Sequence, residues 1–351
     1  MSGDLVRAEL SGLRYRCLED CGFCCTFTAE VDSSELARLK TKFPKLPVTR
    51  HEGMMLLGLQ GGCGACTLLK ERKCTSYEER PGHCRYFPFH VYFGRRSEAY
   101  VNRTCRGVEV APQGNLEAEF KAQVLDEIPG YRLRTEQDKA DKVFARFEAN
   151  ARKADAWGDV DAEIARLLER GASWFDASTW PPTPTGAPDE AGSPGEAWSV
   201  ALAPFGAEDP ITRPYHLSKD LEWLAFRGDA EGIFVDRMDE GGRFTPVGEL
   251  GAIDEWPILP PSVAEGLFQV LQRLTRRDLF AGAIYHVVDE SEYGITVRDG
   301  AEVLFADVAA ALALRAELLH RMGIPWGEVP GEAERFYDSA FLDHPTIGGW
   351  L

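Results

Sequence analysis

The sequence predicts an α+β fold: a small irregular cysteine-rich domain comes first, then helices, and then a C-terminal domain with an antiparallel sheet. Three observations predict it. The chain has 351 residues, more than one hydrophobic core usually serves, so two domains are expected. All nine cysteines lie between Cys17 and Cys105. The pattern becomes mainly helical from about residue 115, and most strand-like segments follow residue 199.

Residues 1–112 form the predicted cysteine-rich domain, which has few periodic patterns and many glycine and aromatic residues. One helix is expected to begin at Asp32, because Asp-Ser-Ser-Glu resembles a capping box, and to end near Lys42 before Pro44. Residues 85–103 predict a hairpin with Gly94 near its turn.

Residues 113–179 predict a helical connecting region. Val143, Phe144 and Phe147 stand at helical spacing within the segment 135–154. A second helix is expected to open at Asp159 and to close at Gly171. Residues 180–198 are rich in proline, glycine and acidic side chains and have no periodicity, which is typical of a flexible linker.

Residues 199–351 predict the C-terminal α+β domain. Four segments resemble short strands and precede a helix over 262–277; they are 215–218, 221–226, 231–238 and 243–250. Two more strands are expected at 283–289 and 293–297, before a strongly periodic helix over 307–322. This order fits an antiparallel sheet better than a doubly wound one. The sequence holds no glycine-rich phosphate loop, so nucleotide binding has no support.

Charge is divided unevenly along the chain, whose formal net charge is −17. Residues 1–110 hold 17 Lys and Arg against 13 Asp and Glu, whereas the remainder holds 22 against 43. The acidic remainder disfavours nucleic acid as a partner, because the phosphate backbone requires a cationic face. No apolar run is long enough to span a bilayer, and the N-terminus lacks the apolar core of a secretory signal. We therefore expect a cytoplasmic protein that binds neither nucleic acid nor membrane. A protein partner or substrate is expected, and the oligomeric state is left open.

The cysteines fall into a compact set and a dispersed set. The compact set is Cys17, Cys21, Cys24 and Cys25 in CLEDCGFCC, and the dispersed set is Cys63, Cys66, Cys74, Cys84 and Cys105. The odd count, the lack of a secretory signal and the long cysteine-free remainder favour metal ligation over disulfides. Short spacings allow several thiolates to surround one centre at about 2.3 Å, with glycine permitting the tight turn.

Eight or nine thiolates exceed what one four-coordinate centre uses, and the side chains of neighbouring Cys24 and Cys25 diverge. Two zinc ions, a cluster with a zinc ion, and a cluster with a reactive cysteine pair all stay open. Nearby histidines are few, and His51, His83 and His90 are each interpreted as surface or packing residues. The sulfur-rich environment favours an iron–sulfur cluster, 4Fe-4S, with zinc as the alternative. Metal binding would contribute much of the folding energy of so small a domain.

The segment CLEDCGFCC, followed by CTLLKERKCTSYEERPGHCRYFPF and TCRG, resembles the CxxCxxCC cysteine-cluster family, also called the YkgJ-type zinc- or iron-chelating domain. The resemblance spans about residues 14–110 and implies a protein that binds zinc or iron. Some relatives look like lysine methylases that act on flagellin and depend on an iron–sulfur centre. The metal ligands that the family pattern implies are Cys21, Cys24, Cys25, Cys66, Cys74, Cys84 and Cys105.

Two cysteines depart from the family pattern. Cys17 precedes Cys21 by a gap of three residues where the family name implies two, and it is predicted as a further ligand. Cys63 is additional and is the predicted spare. Around the ligands, we expect Tyr77, Glu78, Arg80 and Pro81 to position Cys74 and Cys84. Arg80 or Arg85 is expected to donate to a thiolate or to pair with Glu78.

The spacing of Cys17, Cys21 and Cys24 also coincides with the radical S-adenosylmethionine signature. That alternative is disfavoured because no long run of alternating strands and helices follows, and because Cys25 and the later cysteines fit the chelating family better. Three functions are weighed: a metal-binding protein whose C-terminal domain recognises a partner, an iron–sulfur-dependent protein-modifying enzyme of lysine methylase type, and a zinc or iron carrier. The first is favoured.

No catalytic residue is assigned. Polar side chains gather in PYHLSKDLEWLAF, including His216 and Glu222, from which an acid–base pair could be drawn. We interpret the segment as two strands joined by a turn, with charged side chains exposed and Trp223 packed in the core.

Overall fold

The computed structural model describes residues 8–51, 53–128, 130–180, 193–206, 215–217, 221–229, 232–253, 255–341 and 347–349. These residues form a mixed α+β structure of helices and small, mostly antiparallel sheets, which confirms the predicted fold class. No helix in these ranges is both long enough and apolar enough to cross a lipid bilayer.

The first strands and helices build the cysteine-rich part. Its strands are β1 (Ser11–Tyr15), β2 (Val48–His51), β3 (Met54–Leu57), β4 (Leu69–Lys70), β5 (Lys73–Cys74), β6 (Phe89–Phe93), β7 (Ser97–Val101) and β8 (Val108–Asn115). Its helices are α1 (Ser33–Lys42), α2 (Gly82–Tyr86) and α3 (Leu116–Phe120). Strand β1 pairs with β8, β2 with β3, β4 with β5, and β6 with β7, all antiparallel.

The two elements predicted in this part are confirmed. Helix α1 begins after Asp32, whose carboxylate accepts hydrogen bonds from the backbone N–H groups of Ser34 and Glu35 in a capping box. Strands β6 and β7 form the predicted hairpin, and Gly94 lies in the turn between them. Residues 85 and 86 belong to α2 instead of the hairpin.

The remaining elements follow in order. The helices are α4 (Gly130–Lys153), α5 (Val160–Leu168), α6 (Pro194–Gly206), α7 (Pro261–Leu274), α8 (Asp278–Glu290), α9 (Val297–Arg321) and α10 (Val329–Asp338). The strands are β9 (Tyr215–Leu217), β10 (Glu222–Asp229), β11 (Gly232–Met238), β12 (Phe244–Gly251) and β13 (Ile347–Gly349). Strands β9 to β12 form an antiparallel sheet in the order β12-β11-β10-β9, and β13 joins β6 in parallel.

One large apolar core unites the connecting helices with the C-terminal helices. It contains Phe147 of α4, Ile164 of α5 and most of α9. Tyr92 and Tyr100 of the β6–β7 hairpin belong to the same core. The cysteine-rich part therefore packs directly on the rest of the chain, and its other apolar side chains form three smaller clusters.

The predicted linker 180–198 lies mostly outside the described residues, because 181–192 are not among them. Its described end is helical, since α6 starts at Pro194 and packs against α9. Buried Trp198 contributes to the large core, and its indole N–H donates to the carbonyl oxygen of Ile253 at 3.3 Å.

Two predicted strands were wrong. The segment 283–289 lies in helix α8, and 293–297 forms a turn and the start of α9. The core-facing residues of α8 recur at helical spacing and include Ile284, Tyr285 and Val288. Because the segment is rich in β-branched side chains, its sequence resembles that of a strand. Thr296 caps α9 in a capping box with Asp299, so this helix begins well before the predicted residue 307.

Candidate metal centre

The cysteine loop between β1 and α1 is built on a tight turn at Gly22. Gly22 has φ 58°, in the left-handed region that glycine adopts without strain, and its carbonyl oxygen accepts the N–H of Cys25 at 3.0 Å. The following short 3₁₀ turn carries Cys24 and Cys25. The backbone N–H of Cys66 donates to the carbonyl oxygen of Cys25 at 2.6 Å, which joins this loop to the next cysteine segment.

Six cysteines from four segments of the chain line one cavity of about 60 Å³. They are Cys17, Cys24, Cys25, Cys66, Cys74 and Cys84. Cys74 ends strand β5 and Cys84 lies in helix α2, so regular elements position two of them. The remaining wall is mostly apolar and aromatic, with Phe27, Leu57 and Phe87 among its residues.

Two further predicted ligands lie beside this cavity. Cys21 and Cys105 pack with Cys24 in an apolar cluster that contains Phe23 and Trp223. Burial raises the pKa of the Cys105 thiol, and the nearby charges of Cys21 and Cys24 raise it further. The eight cysteines predicted as ligands are thus neighbours in space.

Cys63 lies apart from this group. It lines neither this cavity nor the groove beside it, and its thiol donates to the carbonyl oxygen of Gly242 at 3.5 Å. Its role as the spare cysteine stays a prediction, and this position is compatible with it.

Four of the thiols share one influence on their pKa, a hydrogen bond from the backbone of the residue two positions further along the chain. The pairs are Cys21 with Phe23, Cys66 with Leu68, Cys74 with Ser76, and Cys105 with Gly107. Each such bond favours the thiolate and lowers its pKa. In metal centres, hydrogen bonds to sulfur also tune the electronic properties of the metal.

Burial is the largest influence on the pKa of most of these thiols. It raises the pKa of Cys21 and of Cys66 to about 11, and that of Cys84 well above its ordinary value. Cys24 differs, because a hydrogen bond from the Cys25 thiol lowers its pKa. A metal that binds here displaces protons from most of the thiols, since the thiolate is the ligand.

Arg80 brings a positive charge to the cavity. It lines the wall and stacks over the ring of Tyr77 at 3.9 Å. Arg85 points elsewhere, because its Nε atom pairs with Glu127 at 3.0 Å. Of the two arginines considered from the sequence, Arg80 is therefore the one that can offset the charge of the thiolates.

The histidines near the cysteines pack against aromatic rings or lie at the surface. The ring centroids of His83 and Phe27 lie 5.4 Å apart, and burial lowers the pKa of His83 to about 4. His90 stacks on Tyr100 at 5.1 Å. His51 is exposed at the end of β2.

A wider groove opens beside the cavity. Its volume is about 380 Å³, and it shares Cys17, Cys24, Cys25 and Cys74 with the cavity. Cys17 is exposed, so the cysteine group is accessible from this side. Within the described ranges, no three or more His, Cys, Asp or Glu side chains are placed so that they could hold a metal ion as they stand.

Three residues near the centre were missed from the sequence. Tyr15 of β1 lines the cavity, and Arg72 lines the groove. Glu240, from the turn between β11 and β12, reaches the β4–β5 hairpin that carries Cys74. No motif or spacing marks these residues, because strand pairing and long-range packing bring them to the site.

Of the acid–base candidates, Glu222 pairs with Arg237 at 3.1 Å, and the side chain of His216 lies outside the described residues.

Residues 16–106 match the family model CxxCxxCC, whose description reads "putative zinc- or iron-chelating domain". The matched range contains all nine cysteines, within a chain of 351 residues. No curated protein and no solved structure matches the chain. The description supports metal binding by this part of the chain and names both zinc and iron. Residues 16–106 therefore form a domain of the CxxCxxCC family.

Proposed function

We propose that the chain is a metalloprotein whose CxxCxxCC domain holds an iron–sulfur cluster, 4Fe-4S, among the thiols of its cavity. The observation that carries the proposal is the convergence of six cysteines on a single cavity of about 60 Å³. A cavity needs about 10–15 Å³ to hold one water molecule, so the thiols surround a space larger than a single ion needs. A polynuclear cluster uses such a space, whereas one zinc ion needs four sulfurs at about 2.3 Å.

Cluster binding is proposed to draw the ligands together. The cavity cysteines are the first candidates for ligands, and Cys21 and Cys105 lie beside them. The described side chains do not hold an ion as they stand, so rotation of thiols toward the metal is part of the proposal. Arg80 would offset part of the negative charge that the thiolates bring.

The test is anaerobic purification, followed by an absorbance spectrum and by counts of iron, zinc and sulfide per chain. Visible absorbance with about four iron and four sulfide per chain supports a 4Fe-4S centre. A colourless protein with two zinc ions and no sulfide contradicts it.

The part of the chain that follows the family domain is proposed to recognise a protein partner in the cytoplasm. Residues 111–351 hold 22 Lys and Arg against 43 Asp and Glu, which favours a partner with a basic surface. None of the nine cysteines forms a disulfide in the described structure, which suits a reducing compartment. Purified candidate partners are tested by titration at low and high salt, and affinity that does not fall with salt contradicts a basic partner.

A zinc or iron carrier is the second candidate, and one observation favours it. Cys17 is exposed, and the groove of about 380 Å³ gives access to the cysteine group. A carrier releases its metal to a competing chelator during gel filtration, whereas a resident cluster stays bound. Retention of metal through that column contradicts the carrier function.

A further inference from the structure

Trp223 of β10 contacts the first cysteine loop directly. Its side chain is fully buried, and its indole N–H donates to the carbonyl oxygen of Cys21 at 3.0 Å. The guanidinium of Arg72 lies over the indole ring at 3.7 Å and donates to the same Cys21 carbonyl at 3.2 Å. Arg72 also donates to the carbonyl oxygen of Leu221 at 3.3 Å. One cysteine loop is thereby tied to the C-terminal sheet by both an indole and a guanidinium.

Glu240 holds the hairpin that carries Cys74. The two turn residues between β4 and β5, Glu71 and Arg72, have φ 51° and 61°, although neither is glycine. Such left-handed residues cost about 1–2 kcal/mol each, and turns of this kind normally use Asn-Gly. The Glu240 carboxylate accepts both turn N–H groups, at 3.1 Å and 2.5 Å. These two charge-assisted bonds offset the strain of the turn.

The same turn of the C-terminal sheet meets the loop before Cys66. The backbone N–H of Ala65 donates to the carbonyl oxygen of Glu240 at 2.9 Å. A Cβ atom on Gly64 would lie 2.4 Å from that oxygen, and one on Gly61 would lie 2.2 Å from the carbonyl oxygen of Gly241. The two backbones approach so closely that only glycine fits.

We propose that Trp223 and Glu240 are positioning residues for the metal centre, and that they couple metal binding to docking of the β10–β12 sheet. The inference rests on the proposed metal binding and goes beyond it. Cys21, Cys66 and Cys74 lie in three separate segments, and the two residues hold all three from one side. A metal that orders these segments strengthens their contacts with the sheet, and by linkage the docked sheet strengthens metal binding.

The first test is amide hydrogen exchange of the full chain, loaded with zinc or with iron and sulfide, against the metal-free protein. Exchange at Ala65, Glu71 and Arg72 and across 232–251 is expected to slow by about fivefold or more on loading. Equal exchange in both forms overturns the coupling while leaving metal binding intact. A wild-type chain that binds neither zinc nor iron overturns both proposals.

The second test compares Glu240→Gln with Glu249→Gln, an exposed residue of β12 that serves as the matched control. Glu240→Gln is expected to lose metal to a chelator about tenfold faster, because the charged acceptor of two N–H groups is gone. Glu249→Gln is expected to match the wild type. Trp223→Phe keeps an aromatic ring without the N–H and is expected to act in the same direction. The proposal is overturned if folded Glu240→Gln and Trp223→Phe both retain metal as the wild type does.

Discussion

The Nη1–H group of Arg335 on α10 donates a hydrogen bond to the carbonyl oxygen of Cys105 at 3.2 Å, although the two residues are 230 positions apart in sequence. The same nitrogen donates to the carbonyl oxygen of Arg103 at 2.9 Å, and Nη2 donates to that of Val108 at 3.3 Å. In return, the hydroxyl of Thr104 donates to the carbonyl oxygen of Arg335 at 2.8 Å. The last cysteine of the domain is therefore held by a helix that lies far outside the family match.

Arg335→Lys is expected to lower the free energy of unfolding by about 2 kcal/mol. The variant keeps the charge but loses the planar fork that reaches three carbonyl oxygens. Urea unfolding measures the change. Arg298→Lys is the control, because the side chain of this arginine is 62% exposed and its distance to Glu302 is long, at 3.7 Å. Equal destabilisation by both variants would argue against a specific role for Arg335.

Cys84→Ser and Cys63→Ser form a matched pair for the cavity. Cys84→Ser is expected to lower the metal content or the metal affinity. Loss of a residue that only supports a ligand typically lowers metal affinity by roughly 10–100-fold, and we expect a larger loss for Cys84→Ser. Cys63→Ser is expected to keep the wild-type metal content, because its sulfur lies outside the cavity. Metal analysis after anaerobic purification measures both. A drop for Cys63→Ser as large as for Cys84→Ser would place Cys63 among the ligands.

Local signals in the sequence predicted local structure well. The capping box at Asp32 predicted the start of α1, and the pattern around Gly94 predicted the β6–β7 hairpin. The same approach failed for α8, where β-branched residues at Ile284 and Val288 disguised a buried helix. Spacing also marked the cysteines as a group, because their chemistry is local to residues 17–105.

The supports of the centre could not be predicted in this way. Arg335 and Glu240 reach the cysteine segments from parts of the chain 230 and 168 residues away. Their contacts depend on the packing of α10 and of the β11–β12 turn, which no spacing pattern records. Charge and composition predicted only that the C-terminal part is acidic. In the structure, its residues Glu240 and Arg335 form hydrogen bonds with the segments that carry the cysteines.

Asp307 on α9 makes stability depend on pH. Burial, reinforced by the charge of Glu196, raises its pKa to about 7 from 3.8. The folded protein thus holds this proton more tightly than the unfolded chain, so stability falls as pH rises from about 4 to 7. Asp307→Asn removes this penalty, and its free energy of unfolding relative to wild type is expected to rise by about 1–2 kcal/mol across that window.

The measurement for Asp307 is urea unfolding from pH 4 to pH 8, with both proteins in the same metal state. Asp155→Asn, at an exposed turn, is the control for the removal of a carboxylate as such. A difference between Asp307→Asn and wild type that stays constant over the whole range would show that Asp307 does not titrate there.

Gly22→Ala tests whether the first cysteine loop needs its contact with Trp223, and Gly171→Ala separates that contact from backbone strain. Both glycines have φ 58°, so alanine is expected to cost about 1 kcal/mol of backbone strain at either site. A Cβ atom on Gly171 meets nothing within 4 Å, whereas one on Gly22 meets Cζ2 of Trp223 at 3.0 Å and Cδ2 of Leu69 at 3.2 Å. The indole therefore has to shift only in Gly22→Ala, and the hydrogen bond of Trp223 to Cys21 shifts with it. We expect metal loss to a chelator to be faster for Gly22→Ala alone, and stability to fall further than in Gly171→Ala. Equal metal retention in the two variants would mean that the contact between the indole and this loop does not position the ligands.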